Sequence, residues 1–222
     1  MSATTDRMAS FSNTLHMPDR RVLCATCVED ARPGRGEDRI ATLVLPDRTV
    51  IVVADGAGGV GGGAAAAEAV CRSLDETART LSAWDAWLAK QDRVLAASAS
   101  GGLAAAVILE IRHDGAIRGA SVGDCEAWIF TEGDARCLTE RQIRKPLLGG
   151  GARPVPFVAH LSRGTLVVGT DGLWKYAAHG RIAEAAAHRP LDLSAAALIE
   201  SVRLRSGALQ DDVGVAVFEI KL

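Results

Sequence analysis

The chain has 222 residues, 48% of them hydrophobic, with a formal net charge of −2, a length and composition that predict one domain with a sizeable buried core. Only 4% of the residues are aromatic, and with no block of Lys or Arg this excludes nucleic acid as the main partner. Without a long apolar run or an apolar N-terminal signal region, we expect a cytoplasmic protein with no membrane partner.

The first half of the chain is predicted to contain three strands and two helices. Residues 1–20 are polar and aperiodic, which predicts a poorly ordered tail and a domain over 21–222. The predicted strands cover 22–28, 40–45 and 50–54, and the predicted helices cover 63–81 and 83–98. Cys24 and Cys27 form a C-x-x-C pair inside the first strand. Since no second pair accompanies them, we interpret all five cysteines as reduced thiols.

The second half is predicted to consist mainly of strands. These cover 104–111, 117–122, 126–131, 165–169 and 213–220, with helices over 173–178 and 194–206 and a Gly/Pro-rich loop over 145–156. The strands come in consecutive runs and do not alternate strictly with helices. This order favours an α+β fold with antiparallel sheets.

Acidic residues recur at the predicted strand ends and turns. The positions are Glu37-Asp38, Asp55-Gly56, Gly123-Asp124, Asp171-Gly172 and Asp211-Asp212. A single Asp in such a place is usually a turn residue. Several carboxylates from different strands are what a pair of hard divalent cations requires, because these ions take oxygen ligands. The pattern therefore indicates a shared metal site.

Five stretches carry a resemblance to a known family. They are G-E-D-R at 36–39, V-V-A-D-G-A-G-G at 52–59, G-A-S-V-G-D-C-E-A-W at 119–128, L-V-V-G-T-D-G-L-W-K-Y at 166–176 and D-D-V-G-V at 211–215. In this order they resemble the bacterial metal-dependent serine/threonine protein phosphatases of the type 2C (PPM) family. The resemblance implies a four-layer α-β-β-α sandwich of two antiparallel sheets flanked by helices, with a metal cleft between the sheets.

The resemblance also implies a set of ligands for two Mg²⁺ or Mn²⁺ ions and for a third, weaker ion. The implied metal ligands are Glu37, Asp38, Asp55, Gly56, Asp124, Asp171 and Asp211. Asp55 would bridge two ions and Asp124 would serve the third. Asp55, Asp171 and Asp211 are the implied catalytic residues, and Asp212 would support them.

The phosphate-binding arginine is where the chain departs from the family. Its usual place before the Glu-Asp pair falls on Pro33. Arg32 and Arg35 flank this position, and either guanidinium can bind phosphate through two parallel hydrogen bonds. Arg39 is the other candidate, but we expect its strand to point it away from the cleft.

The function implied by the resemblance is hydrolysis of phosphoserine and phosphothreonine in proteins by a metal-activated water. The expected partner is a phosphorylated protein, a serine/threonine kinase or one of its targets, in signalling, and the chain is expected to be a monomer. A catalytically silent binding module that regulates a kinase or another partner remains the alternative.

Two phosphate-binding motifs compete with this interpretation. Gly56–Gly61 fits the dinucleotide pattern G-x-G-x-x-G. The charge of Asp55 opposes a pyrophosphate there, and the residues up to Lys90 look helical, so no second parallel strand ends at Asp75. The glycines at 149–151 lack the G-K-[ST] ending of a nucleotide loop, and we interpret this loop as a lip of the cleft.

Overall fold

The computed structural model describes residues 21–57, 61–74, 78, 80–99 and 101–221. The predicted N-terminal tail lies outside the described residues. Within them, ten strands form two antiparallel five-stranded sheets. In chain order the strands are β1 (Arg21–Glu29), β2 (Asp38–Val44), β3 (Arg48–Gly56), β4 (Ala104–Arg112), β5 (Ala116–Val122), β6 (Glu126–Thr131), β7 (Asp134–Cys137), β8 (Val155–His160), β9 (Thr165–Gly169) and β10 (Val213–Lys221).

The sheets have the orders β1-β10-β9-β6-β7 and β2-β3-β4-β5-β8. The helices are α1 (Gly63–Arg72), α2 (Trp84–Ala96), α3 (Asp171–Trp174), α4 (His179–Ala186) and α5 (Leu191–Val202). Helices α1 and α2 cover the second sheet, and α4 and α5 cover the first. The α+β class and the four-layer sandwich are therefore confirmed.

Strand β3 shows why the central strands have continuous apolar sequences. Val50 and Val52 point into the core beneath α1 and α2, whereas Ile51 and Val53 point into the core between the sheets. Since both faces of the strand are buried, every position favours an apolar, β-branched residue. Among the described residues, no helix is long and apolar enough to cross a membrane.

The C-x-x-C pair does not form a site. Cys24 packs between the sheets and Cys27 packs beneath the helices of the other face, because residues three apart on a strand point to opposite sides. Both thiols are free, and burial raises their pKa values. The interpretation of reduced, structural thiols is consistent with this geometry.

Several element boundaries differ from the prediction. Helix α1 ends at Arg72 and not at the predicted residue 81. Directly after Arg72, the Ser73 hydroxyl donates to the Ala69 carbonyl at 2.8 Å, which competes with the hydrogen bonds of a further helical turn. Strand β8 replaces part of the predicted loop; it contains Pro156, a residue that argues against a central strand but is tolerated at a sheet edge.

Two further elements were missed by the sequence analysis, and one helix was placed too far along the chain. The short edge strand β7 is exposed and has no apolar alternation, and α4 follows where we had predicted only one helix over 173–178. Helix α5 begins at Leu191 and not at Ser194, and its buried Ser194 hydroxyl donates to the His188 carbonyl.

Candidate metal centre

Five chain segments bring carboxylates to one end of the sandwich. Asp38 begins β2 and lies opposite Asp55, near the end of β3, in the antiparallel register. Asp124 lies in the turn between β5 and β6, Asp171 begins α3 directly after β9, and Asp211 precedes β10. Because each residue is at the end of an ordered element, their positions are set by the sheets.

The carboxylates line a cavity of about 300 Å³ between the sheets. Its polar lining consists of Glu37, Asp55, Gly56, Asp124, Asp171, Asp211 and Asp212. One carboxylate oxygen from each of Asp55, Asp124 and Asp171 lies within 4.8 Å of the other two. This spacing would let three oxygens share a divalent cation, with small adjustments of their side chains.

A close backbone contact sets the position of Asp171. A Cβ atom at Gly172 would lie only 1.9 Å from the carbonyl oxygen of Asp212, so the start of α3 and the segment before β10 can approach only if residue 172 is glycine. The Asp-Gly pair after β9 therefore has a packing cause as well as a chemical one. The contact brings Asp171 and Asp211 to the same side of the cavity.

The carboxylates repel one another where no cation is bound. Burial, followed by the charges of Asp38, Asp171, Asp124 and Asp211, raises the pKa of Asp55 from 3.8 to about 9. Burial raises the pKa values of Asp124 and Asp211 too, and the charge of Asp171 adds to both shifts. Strongly raised carboxylate pKa values in a cleft indicate a site that requires positive charge.

Asp38 lies at the base of this cluster, 2% exposed. Burial raises its pKa to about 8, against the opposing effect of a hydrogen bond from Thr170. The Thr170 hydroxyl donates to Asp38 Oδ2 at 2.7 Å and accepts the backbone N–H of Gly214 at 2.9 Å. Thr170 thereby links β2, β9 and β10 beneath the cavity. No sequence motif predicted this role for Thr170.

Asp212 organises the segment that carries Glu37. Its two carboxylate oxygens accept the backbone N–H groups of Ala31 and Glu37, each at 2.7 Å. Glu37 Oε1 in turn accepts the N–H of Ala64 in α1 at 3.2 Å. Asp212 therefore acts through the loop before β2, a supporting position of the kind the resemblance implied.

The predicted phosphate-binding arginines do not line the cavity. Arg32 and Arg35 are exposed in the loop before β2, and their role in binding phosphate stays a prediction. Arg39 points toward α1, where its Nε lies 3.0 Å from Glu68 Oε2, in agreement with the expectation that it turns away from the cleft. The described residues that line the cavity include no Lys or Arg.

One cation at the rim was missed by the sequence analysis. Lys175 directly follows α3, and its Nζ forms an ion pair with Asp171 Oδ2. The signal in the sequence was the spacing of four residues, which brings an acid and a base onto the same face of a helical turn.

The glycine loop lies at the mouth of the cavity, where Leu147 is part of the lining. The N–H groups of Gly149, Gly151 and Ala152 all donate to Asp92 Oδ1 of α2, at 2.8 to 3.0 Å. Since these donors are occupied, they do not form a phosphate cradle. The dinucleotide interpretation fails as well, because β2, β3 and β4 are antiparallel neighbours; Gly58–Val60 and Asp75 lie outside the described residues.

The fold is that of PPM-type phosphatases, as comparison with solved structures shows. The catalytic domain of the serine/threonine phosphatase PstP, in complex with two manganese ions, aligns with a TM-score of 0.73 at 18% identity over 90% of this chain and 99% of that one. The Mycobacterium tuberculosis phosphatase PstP/Ppp aligns with a TM-score of 0.73 at 18% identity, over 89% of this chain and 98% of that one. The S. agalactiae serine/threonine phosphatase aligns with a TM-score of 0.73 at 20% identity, over 90% of this chain and 100% of that one.

Family comparison places the chain more narrowly. The model of the stage II sporulation protein E (SpoIIE) family matches residues 46–221. The match covers most of the chain, which therefore belongs to the SpoIIE family. A search of curated proteins finds no significant match.

Proposed function

We propose that this protein is a Mg²⁺- or Mn²⁺-dependent phosphatase that hydrolyses phosphoserine and phosphothreonine in proteins. The observation that carries the proposal is the convergence of Asp55, Asp124 and Asp171 within 4.8 Å at the ends of separate elements. PPM-type family membership supports the reaction class, and the two manganese ions of the PstP complex support the kind of cation. The proposed partner is a phosphorylated protein, a serine/threonine kinase or one of its targets.

The donor set fits such ions. Among the described residues, every polar side chain that lines the cavity is a carboxylate, and hard divalent cations prefer oxygen ligands. Burial and the neighbouring carboxylates raise the pKa of Asp55 to about 9, so this position favours bound positive charge. Glu37, Asp38, Asp55, the Gly56 carbonyl, Asp171 and Asp211 are the proposed ligands of two ions. Asp124 is the position at which the resemblance implies a third, weaker ion.

When bound, two divalent ions would supply a water nucleophile at neutral pH and positive charge opposite the phosphoryl oxygens. The chain's own residues do the rest. Asp55 follows the fully buried run Val50–Ala54, so its carboxylate is held in place by a rigid strand. Thr170 orients Asp38, and Asp212 fixes the loop that leads to Glu37. Arg32 or Arg35 would orient the phosphate from that loop.

The test is hydrolysis of a phosphothreonine peptide by the full chain after removal of metals. We expect phosphate release only when Mn²⁺ or Mg²⁺ is added, and loss of release in Asp171→Asn. Asp134→Asn, at an exposed position of β7, is the matched control and should behave as wild type. Protein that binds Mn²⁺ but releases no phosphate would overturn the proposal in favour of the silent binding module.

A further inference from the structure

Lys175 has a fixed relation to the metal centre. It is the residue directly after α3, and its backbone N–H donates to the Asp171 carbonyl at 2.8 Å, which continues the helical turn. Its ammonium group contacts Asp171 Oδ2. Because the two residues are four apart on one helical turn, the side chains lie on the same face. The lysine side chain is half exposed, whereas that of Asp171 is 14% exposed.

The ammonium group also influences two further carboxylates. The pKa of Lys175 is raised chiefly by its hydrogen bond with Asp171, against the effect of burial, and the charges of Asp211 and Asp124 add to the rise. In return, Lys175 opposes the burial-driven rise in the pKa values of Asp124 and Asp211. A carboxylate oxygen of Asp124 lies within 4.8 Å of one of Asp171, and Asp211 lines the same cavity. The ammonium group bound to Asp171 therefore lies close to all three carboxylates, on one side of the cleft.

The resemblance to PPM-type phosphatases implies a third divalent ion at Asp124, which lies on the side that Lys175 occupies. Such an ion would need Asp124 and a neighbouring carboxylate, and it would meet the ammonium group at short range. Two like charges a few ångströms apart repel each other strongly near a protein surface. Asp171 has two carboxylate oxygens, so an ammonium on Oδ2 leaves Oδ1 free for one of the two main ions.

We propose that the Lys175 ammonium is a permanent third cation of the cleft, placed among Asp124, Asp171 and Asp211, so that the protein binds two divalent ions and not three. The inference rests on the proposed function, since it assumes a cleft that binds divalent ions. Lysine suits the role because its ammonium is a compact point charge on a flexible stem. The consequence is a site whose positive charge on the Asp124 side does not depend on the concentration of a weakly bound metal.

Counting bound Mn²⁺ on the metal-stripped full chain tests this directly. Equilibrium dialysis up to several millimolar Mn²⁺, followed by metal analysis, requires no substrate. We expect two ions in the wild type and three in Lys175→Gln, where the cation is lost. Lys175→Arg keeps the charge and should bind two. Lys90→Gln, an exposed lysine of α2, is the matched control and should also bind two.

A double substitution locates the additional ion. If it binds on the Asp124 side, Lys175→Gln combined with Asp124→Asn should return the count to two. A second readout is the melting temperature of the metal-free protein, which should fall in Lys175→Gln and not in Lys175→Arg, because three carboxylates lose their counter-charge. If Lys175→Gln fails to fold, Lys175→Met removes the charge with a side chain of similar length and should also bind three Mn²⁺ ions.

The possible outcomes are distinct. Equal counts in the wild type and both neutral variants would overturn the role of Lys175 while leaving the proposed function intact, and so would a wild type that binds three ions. A wild type that binds no Mn²⁺ would overturn the proposed function itself, and this inference with it.

Discussion

Replacing Asp55 by Asn should stabilise the metal-free protein and abolish its response to metal. Burial and neighbouring carboxylates raise the pKa of Asp55 from 3.8 to about 9. One pKa unit corresponds to about 1.4 kcal/mol, so the difference of about five units sets an upper bound of about 7 kcal/mol for holding the charged carboxylate there. Asn has nearly the same shape and no charge.

The expected gain is smaller than this bound. At pH 7.5 the folded protein relieves part of the repulsion by taking up a proton, and the neighbouring carboxylates share the rest. We expect the free energy of unfolding to rise by about 1–3 kcal/mol, which for a domain of this size raises the melting temperature by roughly 3–10 °C.

Differential scanning calorimetry of the metal-stripped protein, with and without Mn²⁺, measures both effects. Wild type should gain stability with Mn²⁺ according to the ion's affinity, whereas Asp55→Asn should gain little and release no phosphate. Asp134→Asn serves as control because it removes an exposed carboxylate outside the cleft. A variant no more stable than wild type without metal, or stabilised equally by Mn²⁺, would refute the reasoning.

Three further predictions concern pH, phosphate and the supporting loop. The pKa values of Asp38 and Asp55 are raised to about 8 and about 9, so the folded metal-free protein holds protons that the unfolded chain releases. Its melting temperature should therefore fall as pH rises from about 4 to about 9. A melting temperature that stays constant or rises over this range would contradict these shifts. Arg32→Ala or Arg35→Ala should lower kcat/KM for a phosphopeptide by roughly ten- to a hundredfold, the effect of losing a charge-assisted hydrogen bond. Mn²⁺ affinity, measured by calorimetry, should be unchanged. A change below about twofold in both variants and in the double variant would show that other residues bind the phosphate. Asp212→Ala leaves two backbone N–H groups without their acceptor. It should reduce the free energy of unfolding, measured by urea denaturation, by roughly 2–4 kcal/mol and should weaken Mn²⁺ binding. Wild-type values for both quantities would remove Asp212 from the supporting role.

The sequence was most informative where one physical cause determined both the strand and its end. The apolar run before Asp55 and the glycine after Asp171 predicted buried strands that stop at a carboxylate, and the register places Asp38 opposite Asp55. Strand β8 could not be predicted in the same way, because Pro156 argues against a strand unless the position is known to be a sheet edge.

The residues that connect the site were also beyond sequence reasoning. Thr170 contacts Asp38 across 132 positions of the chain, and the bonds of Asp212 to the loop before β2 span at least 175. Such contacts depend on how the two sheets are packed and leave no periodic signal. Lys175 was within reach, since its spacing from Asp171 indicates a helical pair, but only the structure shows which other carboxylates surround it.

The most direct test of the metal centre is the anomalous scattering of manganese in crystals of the full chain soaked in Mn²⁺. Two peaks should appear in the cavity lined by Asp55, Asp124, Asp171 and Asp211, with an Asp55 carboxylate oxygen bound to each ion at about 2.0–2.3 Å, the range of hard-cation ligands. Crystals of protein that folds and packs normally but shows no manganese peak between Asp55 and Asp171 would contradict the account.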